Sequence, residues 1–176
     1  LPRNLGGFYG EVMGSFAEGR NVNRHRGAVF GYAHGPFDVN VGSGRTSDTS
    51  GLHWIRLSSI GASYNAGWAR FTTLVQHAKY LERRQQTTDL GISIPMGSGI
   101  VKANYIRADQ RGAGTDANDA HQLSLGYVHS LSKRTALYST FSRISNQGRQ
   151  AFGLGGVTPP AGGSVRGIEF GMNHSF

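Results

Sequence analysis

The residues most able to do chemistry in this sequence are seven histidines, ten acidic residues and a few glycine-rich motifs. No histidine pair has HExxH spacing and no serine lies in a GxSxG elbow, so neither a metallohydrolase nor a serine hydrolase is indicated. The segments FGLGG (152–156) and PMGSG (95–99) lack the GxxxxGK pattern of a phosphate-binding loop and are typical of turns. The absence of cysteine excludes disulfides and thiolate metal sites. The sequence therefore predicts no enzymatic activity, no metal and no cofactor.

Six charged residues indicate a role other than catalysis, because they alternate with apolar neighbours in extended segments. In a strand every second side chain points to the same side, so these residues are expected on the polar side of their strands. Charged groups on the wall of a water-filled passage bias which ions enter, and the six are predicted to line a pore. The alternative is that each is a solvated side chain with little effect. The six residues are Glu11, Asp38, Arg70, Asp89, Lys102 and Glu169.

The element that positions such residues is clearest in the carboxyl-terminal stretch SVRGIEFGMNHSF. Ile168, Phe170, Met172, His174 and Phe176 share one parity, and the residues between them are glycine, glutamate, asparagine and serine. This is the two-residue period of a strand with unlike faces. The pattern recurs along the chain and gives about ten strands. In the segment 135–145 the parity is ambiguous, because apolar residues occur at both odd and even positions.

The connections between the predicted strands alternate in length. The short ones are 34–36, 65–67, 95–99 and 130–134, and the longer, more charged ones are 17–26, 43–51, 80–86, 108–121 and 146–163. Short periplasmic turns and long extracellular loops are typical of antiparallel transmembrane β-barrels. A strand of about 12 residues, tilted near 45°, spans roughly 28 Å, which matches the hydrocarbon thickness of a bilayer. The prediction is an all-β, antiparallel transmembrane barrel with a single domain, 1–176.

Aromatic residues support the membrane interpretation. Several lie beside the short turns, where tyrosine and tryptophan anchor a barrel at the membrane interface. The alternative, that they are core aromatics, would not explain their grouping beside turns. The predicted interface residues are Tyr32, Tyr64, Trp68, Tyr127 and Phe176.

Composition is compatible with this interpretation and leaves one alternative open. No apolar run approaches the roughly 18 residues of a membrane helix, but a barrel strand exposes only every second residue to lipid. The net charge of +8 suggests polyanion, anionic-lipid or anionic-solute partners. Nucleic acid is not expected, because the cations are dispersed and no patch of stacking aromatics accompanies them. The alternative fold is a soluble all-β carbohydrate-binding sandwich, which would stay monodisperse in plain buffer.

Several motifs occur in order along the chain: NLGGFYG, GASYNAG, TDLGISIPMGSG, LSLGYVHSLSKRTALYSTFSRISN, FGLGG and RGIEFGMNHSF. Together they resemble the trimeric general porins of Gram-negative outer membranes, of the kind common in β-proteobacteria. The LSKRT turn and the final strand are the most specific part. Members usually carry a charged residue before the last phenylalanine, where this sequence has Ser175.

The resemblance implies an outer-membrane location, contact with outer-membrane lipid, a homotrimeric parent protein, and passive diffusion of ions and small hydrophilic solutes. Family barrels have about sixteen strands, and this sequence matches the later ten. Because its start resembles an internal junction of the family, we expect the carboxyl-terminal part of a longer chain, without the constriction loop. The net charge, with Arg70 and Lys102 as a basic ladder on neighbouring hairpins, favours anions, whereas the four acidic residues above favour cations.

The last expectation concerns closure of the sheet. An even number of strands allows a closed small barrel. The predicted lumen side is instead rich in small groups, which suit a wide lumen, so we expect an open sheet in which the strand at 8–16 and the strand at 166–176 are not hydrogen-bonded to each other. The small lumen residues are Gly31, Gly42, Ser59, Gly61, Ser63, Gly91, Ser93, Gly126 and Gly171.

Overall fold

Ten strands form one antiparallel sheet in a computed structural model that describes residues 5–15, 24–112 and 114–175. Each strand pairs with its neighbours in the sequence, so the order in the sheet is the order in the chain. Within these ranges there is no helix of the length and hydropathy needed to cross a membrane. The strands are β1 Phe8–Ser15, β2 His25–His34, β3 Phe37–Ser47, β4 Trp54–Asn65, β5 Arg70–Tyr80, β6 Arg83–Met96, β7 Gly99–Arg111, β8 Ala120–Ser130, β9 Thr135–Asn146 and β10 Ser164–His174.

The register gives the sheet two unlike faces. Residues directly opposite each other on adjacent strands point to the same side, so each ladder can be followed across the sheet. Phe30, Val41, Ile60 and Val75 form one such row, and they define the apolar face. Gly31, Asn40 and Gly61 form a row of the opposite parity, and they define the polar face.

The apolar face is also the more exposed one. On β10, Ile168, Phe170 and Met172 are 66%, 78% and 63% exposed. Buried apolar side chains in the described ranges are confined to Ala69, Ala108, Ala120 and Ile144. A soluble sandwich would bury its apolar face between two packed sheets, whereas the described residues form one sheet. The large apolar side chains therefore lie where a bilayer, not a protein core, would cover them.

Connections at one end of the sheet are tight. Residues 35–36, 66–69, 97–98 and 131–134 join the strands there, and we call this the turn end. Gly35 and Gly97 have φ of 55° and 59°, values that glycine adopts without steric cost, and each begins a two-residue connection. The opposite end, the loop end, has connections at 48–53, 81–82, 112–119 and 147–163, and β1 ends and β2 begins there.

One expected loop is wrong. The sequence predicts a long connection at the charged segment 80–86, but Arg83 already begins β6 and only Leu81 and Glu82 link it to β5. Leu81 takes the left-handed conformation, with φ of 55°. Charged side chains are compatible with a strand where both of its faces are wet, as they are beyond the membrane, so charge alone did not distinguish loop from strand.

Other strands also extend further toward the loop end than predicted. β3 continues to Ser47 into the expected loop 43–51, β7 continues to Arg111, and β8 begins at Ala120, so the expected loop 108–121 shrinks to 112–119. β2 begins at His25, inside the expected loop 17–26, whose residues 17–23 lie outside the described ranges. From β2 onward, the strict alternation of short and long connections therefore holds except between β5 and β6.

The sheet is open, as predicted. Within the described ranges β1 pairs only with β2 and β10 pairs only with β9, and no ladder joins β1 to β10. Phe16 and Phe176, the outer limits of the two predicted strands, lie outside those ranges.

Two glycines on the polar face of β10 differ in what covers them. Gly171 pairs with Tyr138 of β9, and a Cβ atom added at Gly171 would overlap the Tyr138 ring. Gly167 pairs with Ser142, and a Cβ atom there would meet nothing within 4 Å. The Tyr138 ring thus packs on the backbone of Gly171, in the space that a side chain there would occupy, as aromatic side chains do over glycines in sheets.

We predict that Gly171→Val destabilises the sheet by about 1–3 kcal/mol, because the Tyr138 ring must leave its place. Gly167→Val, four residues away on the same face, is the matched control and should change stability by no more than about 0.5 kcal/mol. Urea unfolding in detergent micelles measures both. Equal losses for the two variants would contradict this packing role of Gly171.

Candidate functional site: the polar face

All six charged residues predicted to line a pore lie on the polar face. Each lies in a cross-strand row of this face: Glu11, for example, is in the row of Val29, Gly42 and Ser59, and Asp38 is in the row of Ser63, Thr72 and Gly91. The nine small residues expected on the same side also fall on this face. They are Gly31, Gly42, Ser59, Gly61, Ser63, Gly91, Ser93, Gly126 and Gly171.

Three of the four carboxylates on this face accept a hydrogen bond from a neutral donor on an adjacent or nearby strand. The Tyr9 hydroxyl donates to Asp38, and Nδ2 of Asn104 donates to Asp89. The Tyr138 hydroxyl donates to Glu169 at 3.0 Å. A neutral donor orients a carboxylate without cancelling its charge. These three negative charges are therefore fixed in position.

Arg70 and Lys102 lie in one row of the polar face, with Ser93 of β6 between them. Two strand spacings of about 4.8 Å place their backbones roughly 10 Å apart. One terminal guanidinium nitrogen of Arg70 donates to Oγ of Ser63 at 3.0 Å, on the side away from Lys102. The same row continues from Lys102 through Gly126 and Thr140 to Glu169. The predicted ladder thus consists of two separated cations in register, with an acid further along.

Four of the five aromatic residues predicted at an interface lie at the turn end. Tyr32, Tyr64 and Tyr127 are on the apolar face, and Trp68 is in the 66–69 turn, 63% exposed. Each has a neighbouring ring. The distances between ring centroids are 4.7 Å for Tyr32 and Phe8, 4.8 Å for Tyr64 and Phe37, 5.8 Å for Trp68 and Phe71, and 6.0 Å for Tyr127 and His129. Phe176 lies outside the described residues.

The geometry is that of a sheet with a wet, charged face and an exposed apolar face, and comparison with known proteins agrees with it. A family model described as Gram-negative porin matches residues 2–149. The chain belongs to the Gram-negative porin family. This membership places it in the outer membrane.

Two relatives of the porin are similar along most of this chain. Outer membrane porin protein 32 of Delftia acidovorans is 34% identical over 194 aligned positions, which cover 98% of this chain and 54% of that protein. The solved anion-selective porin from Comamonas acidovorans is 34% identical with a TM-score of 0.88, covering 98% of this chain and 57% of the other. The chain thus spans about half the length of these relatives.

A more distant structure shares the fold alone. OmpT of Vibrio cholerae has a TM-score of 0.75 at 12% identity, covering 96% of this chain and 61% of that one. These matches agree with the ten-stranded antiparallel sheet of this porin being part of a porin barrel.

Sequence reasoning missed the neutral partners of the charged residues. Tyr9 and Tyr138 were not singled out, although each hydroxyl holds a carboxylate of the polar face. A signal was present, because each tyrosine lies directly opposite a glycine, Gly31 for Tyr9 and Gly171 for Tyr138. Recognising it requires the register between strands, which the alternation within one strand does not contain.

Asp48 organises the loop between β3 and β4 of the porin. Its Oδ1 accepts hydrogen bonds from the Ser50 hydroxyl at 2.6 Å and the Ser50 amide at 3.1 Å. Its Oδ2 accepts the Tyr80 hydroxyl at 3.0 Å and lies 3.3 Å from Nδ1 of His53. The bond from Ser50 first, and then those from Tyr80 and His53, hold the pKa of Asp48 well below its usual range, although partial desolvation opposes them.

We predict that the 48–53 loop keeps its order in acid until the pH falls well below 3.8, the ordinary pKa of this carboxyl. A depressed folded-state pKa means that the carboxylate stabilises the loop fully above that ordinary value and ceases to do so as pH falls through the folded-state value. NMR of the loop amides in micelles, as a function of pH, measures the midpoint. Asp48→Asn should remove the acid transition and loosen the loop at neutral pH. A midpoint at or above 3.8 in the unmodified protein would contradict the assignment.

Proposed function

We propose that this protein is a porin through which ions and small hydrophilic solutes diffuse passively, with the polar face of the sheet as the pore wall. The observation that carries the proposal is the segregation of faces: six charged residues and nine small ones lie on one face, and most of the large exposed apolar residues lie on the other. Water solvates the first face and lipid the second. Glu11, Asp38, Arg70, Asp89, Lys102 and Glu169 then line the water-filled passage.

The remaining parts of the proposal follow from the same orientation. Tyr32, Tyr64, Trp68 and Tyr127 anchor the barrel at the periplasmic interface, where amphipathic rings are stable. All 176 residues belong to one barrel domain, and the assembled protein is a homotrimer, as the sequence resemblance implies. The proposed role is that of a channel and not of an enzyme, and it is supported by the porin family match and by the names of the two porin relatives.

We predict stepwise, non-saturating conductance when the protein purified from outer membranes is reconstituted into planar bilayers. A passage without a dedicated binding constellation should conduct in proportion to salt concentration over a wide range. Conductance that saturates, or that one sugar blocks at low concentration, would instead indicate a specific channel. Absence of any conductance by the folded protein would refute the porin proposal itself.

We further propose that the pore prefers anions. The support is the net charge of +8, the pair Arg70 and Lys102 in one row of the polar face, and the name of the Comamonas acidovorans relative, an anion-selective porin. Against it stand the four carboxylates on the same face. Their charge is not cancelled by their neutral partners, so the preference is expected to be modest.

The test is the reversal potential in a salt gradient. Arg70→Ala with Lys102→Ala should lower the anion-to-cation permeability ratio by about two- to fivefold, because two positive charges leave the wall. Lys133→Ala with Arg134→Ala, in the 131–134 turn, removes the same charge away from the strand wall and should change the ratio less. Cation preference in the unmodified protein, or equal shifts in both double variants, would overturn the proposal.

A further inference from the structure

Six cations form a continuous row across six adjacent strands at the loop end of the apolar face. Each is directly paired with the next in the ladder register, from β2 to β7. All six are exposed, and all six line one open groove of about 1230 Å³. We call this set the cation row. Its members are Arg26, Arg45, Arg56, Lys79, Arg84 and Arg111.

Most of this charge is not compensated by carboxylates among the described residues. Arg111 is paired with Asp109, whose Oδ1 lies 3.0 Å from its Nε. For the other five, the described ranges contain no carboxylate within ion-pair distance. Like charges directly opposite each other on neighbouring strands, about 4.8 Å apart, destabilise a sheet. A row of this kind is therefore expected to be stabilised by anions from outside the protein.

The position of the row along the strands indicates which anions these are. On β3, Arg45 lies eight residues from Phe37 at the turn end of the same face, with Val39, Val41 and Ser43 between them on that face. Eight residues in a strand tilted by 35–45° rise about 20 Å, close to the roughly 25 Å height of an apolar barrel band. The cations thus lie just beyond the apolar band, at the level of lipid headgroups.

The residues between the row and the apolar band are small or polar. Ala28, Ser43 and Ser58 occupy the next row toward the membrane and line the same groove, and His77 continues it. Phe30, Val41, Ile60 and Val75 follow in the row after that. Along the strands, an apolar layer is followed by a layer of small and polar residues and then by the cations. This order matches that of an anionic lipid, in which the acyl chains are followed by the headgroup linkage and then by the phosphate.

A tryptophan lies at the loop-end border of the row. The guanidinium carbons of Arg24 and Arg45 lie 5.4 Å and 5.0 Å from the centroid of the Trp54 ring. Trp54 is on the same face as Arg56, two residues away in β4. Stacked arginines keep their hydrogen-bond donors free for oxygens at the ring edge, and planar guanidinium groups bind phosphate with two parallel hydrogen bonds.

We propose that the cation row is a binding site for the phosphate groups of phosphorylated lipids in the outer leaflet. The inference rests on the proposed orientation, in which the apolar face meets lipid and the loop end is extracellular. It adds a second function for the positive charge of this protein, because the row lies on the opposite face from Arg70 and Lys102.

Titration of the detergent-purified protein with bisphosphorylated lipid A, followed by native mass spectrometry, tests the proposal. Arg45→Gln with Arg56→Gln and Lys79→Gln, at the centre of the row, should weaken lipid binding at least tenfold. The matched control is Lys133→Gln with Arg134→Gln and Arg149→Gln, which removes the same charge from connecting segments and should leave affinity within twofold. Dephosphorylated lipid A should bind no better to the unmodified protein than to the triple variant.

The outcomes separate this proposal from the alternatives and from the porin proposal. Equal affinity of the triple variant and its control, or equal binding of the dephosphorylated lipid, would overturn the lipid site. Displacement of the lipid by millimolar inorganic phosphate would show a free-anion site instead. If the triple variant does not fold, the single variants Arg45→Gln and Arg56→Gln should each still weaken binding severalfold, and unchanged affinity in both would overturn the site. Single-channel conductance, measured on the same samples, tests the pore independently.

Discussion

The interior of a bilayer offers no hydrogen-bond partner to a peptide group, and this constraint underlies the rest of the structure. A chain that crosses lipid as strands must pair its N–H and C=O groups with neighbouring strands. The β9–β10 ladder, for example, pairs every residue of Ser164–His174 without a bulge. Because the ladder uses the backbone in the same way at every position, only the side chains distinguish the two faces. A slip of one residue would exchange the faces, so the need to keep apolar residues in lipid also selects the register.

On the polar face, charges are held in place without being neutralised. Tyr9, Asn104 and Tyr138 each donate to a carboxylate, and the two tyrosines pack over glycines opposite them. An ion pair would orient a carboxylate equally well but would cancel its field. Neutral donors therefore suit the wall of a proposed pore, where the field acts on ions in the water.

The positive charge of the chain divides between two places with different surroundings. Arg70 and Lys102 are near the turn end of the polar face, and the cation row is at the loop end of the apolar face. The net charge of +8 counts both sets together and does not show that they lie on different faces. On our proposals, these positions give the two sets different partners, dissolved ions for the first set and lipid phosphates for the second.

The sequence by itself determined the ten strands, the two faces and most turns, because the period of two and the turn chemistry of Gly35 and Gly97 are local properties of the backbone. Only the tertiary structure decided where the strands end at the loop end. Both faces of a strand are exposed to water there, so the alternation of apolar and polar residues disappears, as at Arg83. It also resolved β9: Phe141 pairs with Leu125 and Ile168, which places odd-numbered β9 residues on the apolar face. The partners of the charged residues and the alignment of the cations depend on register between strands, a non-local property that no single segment specifies.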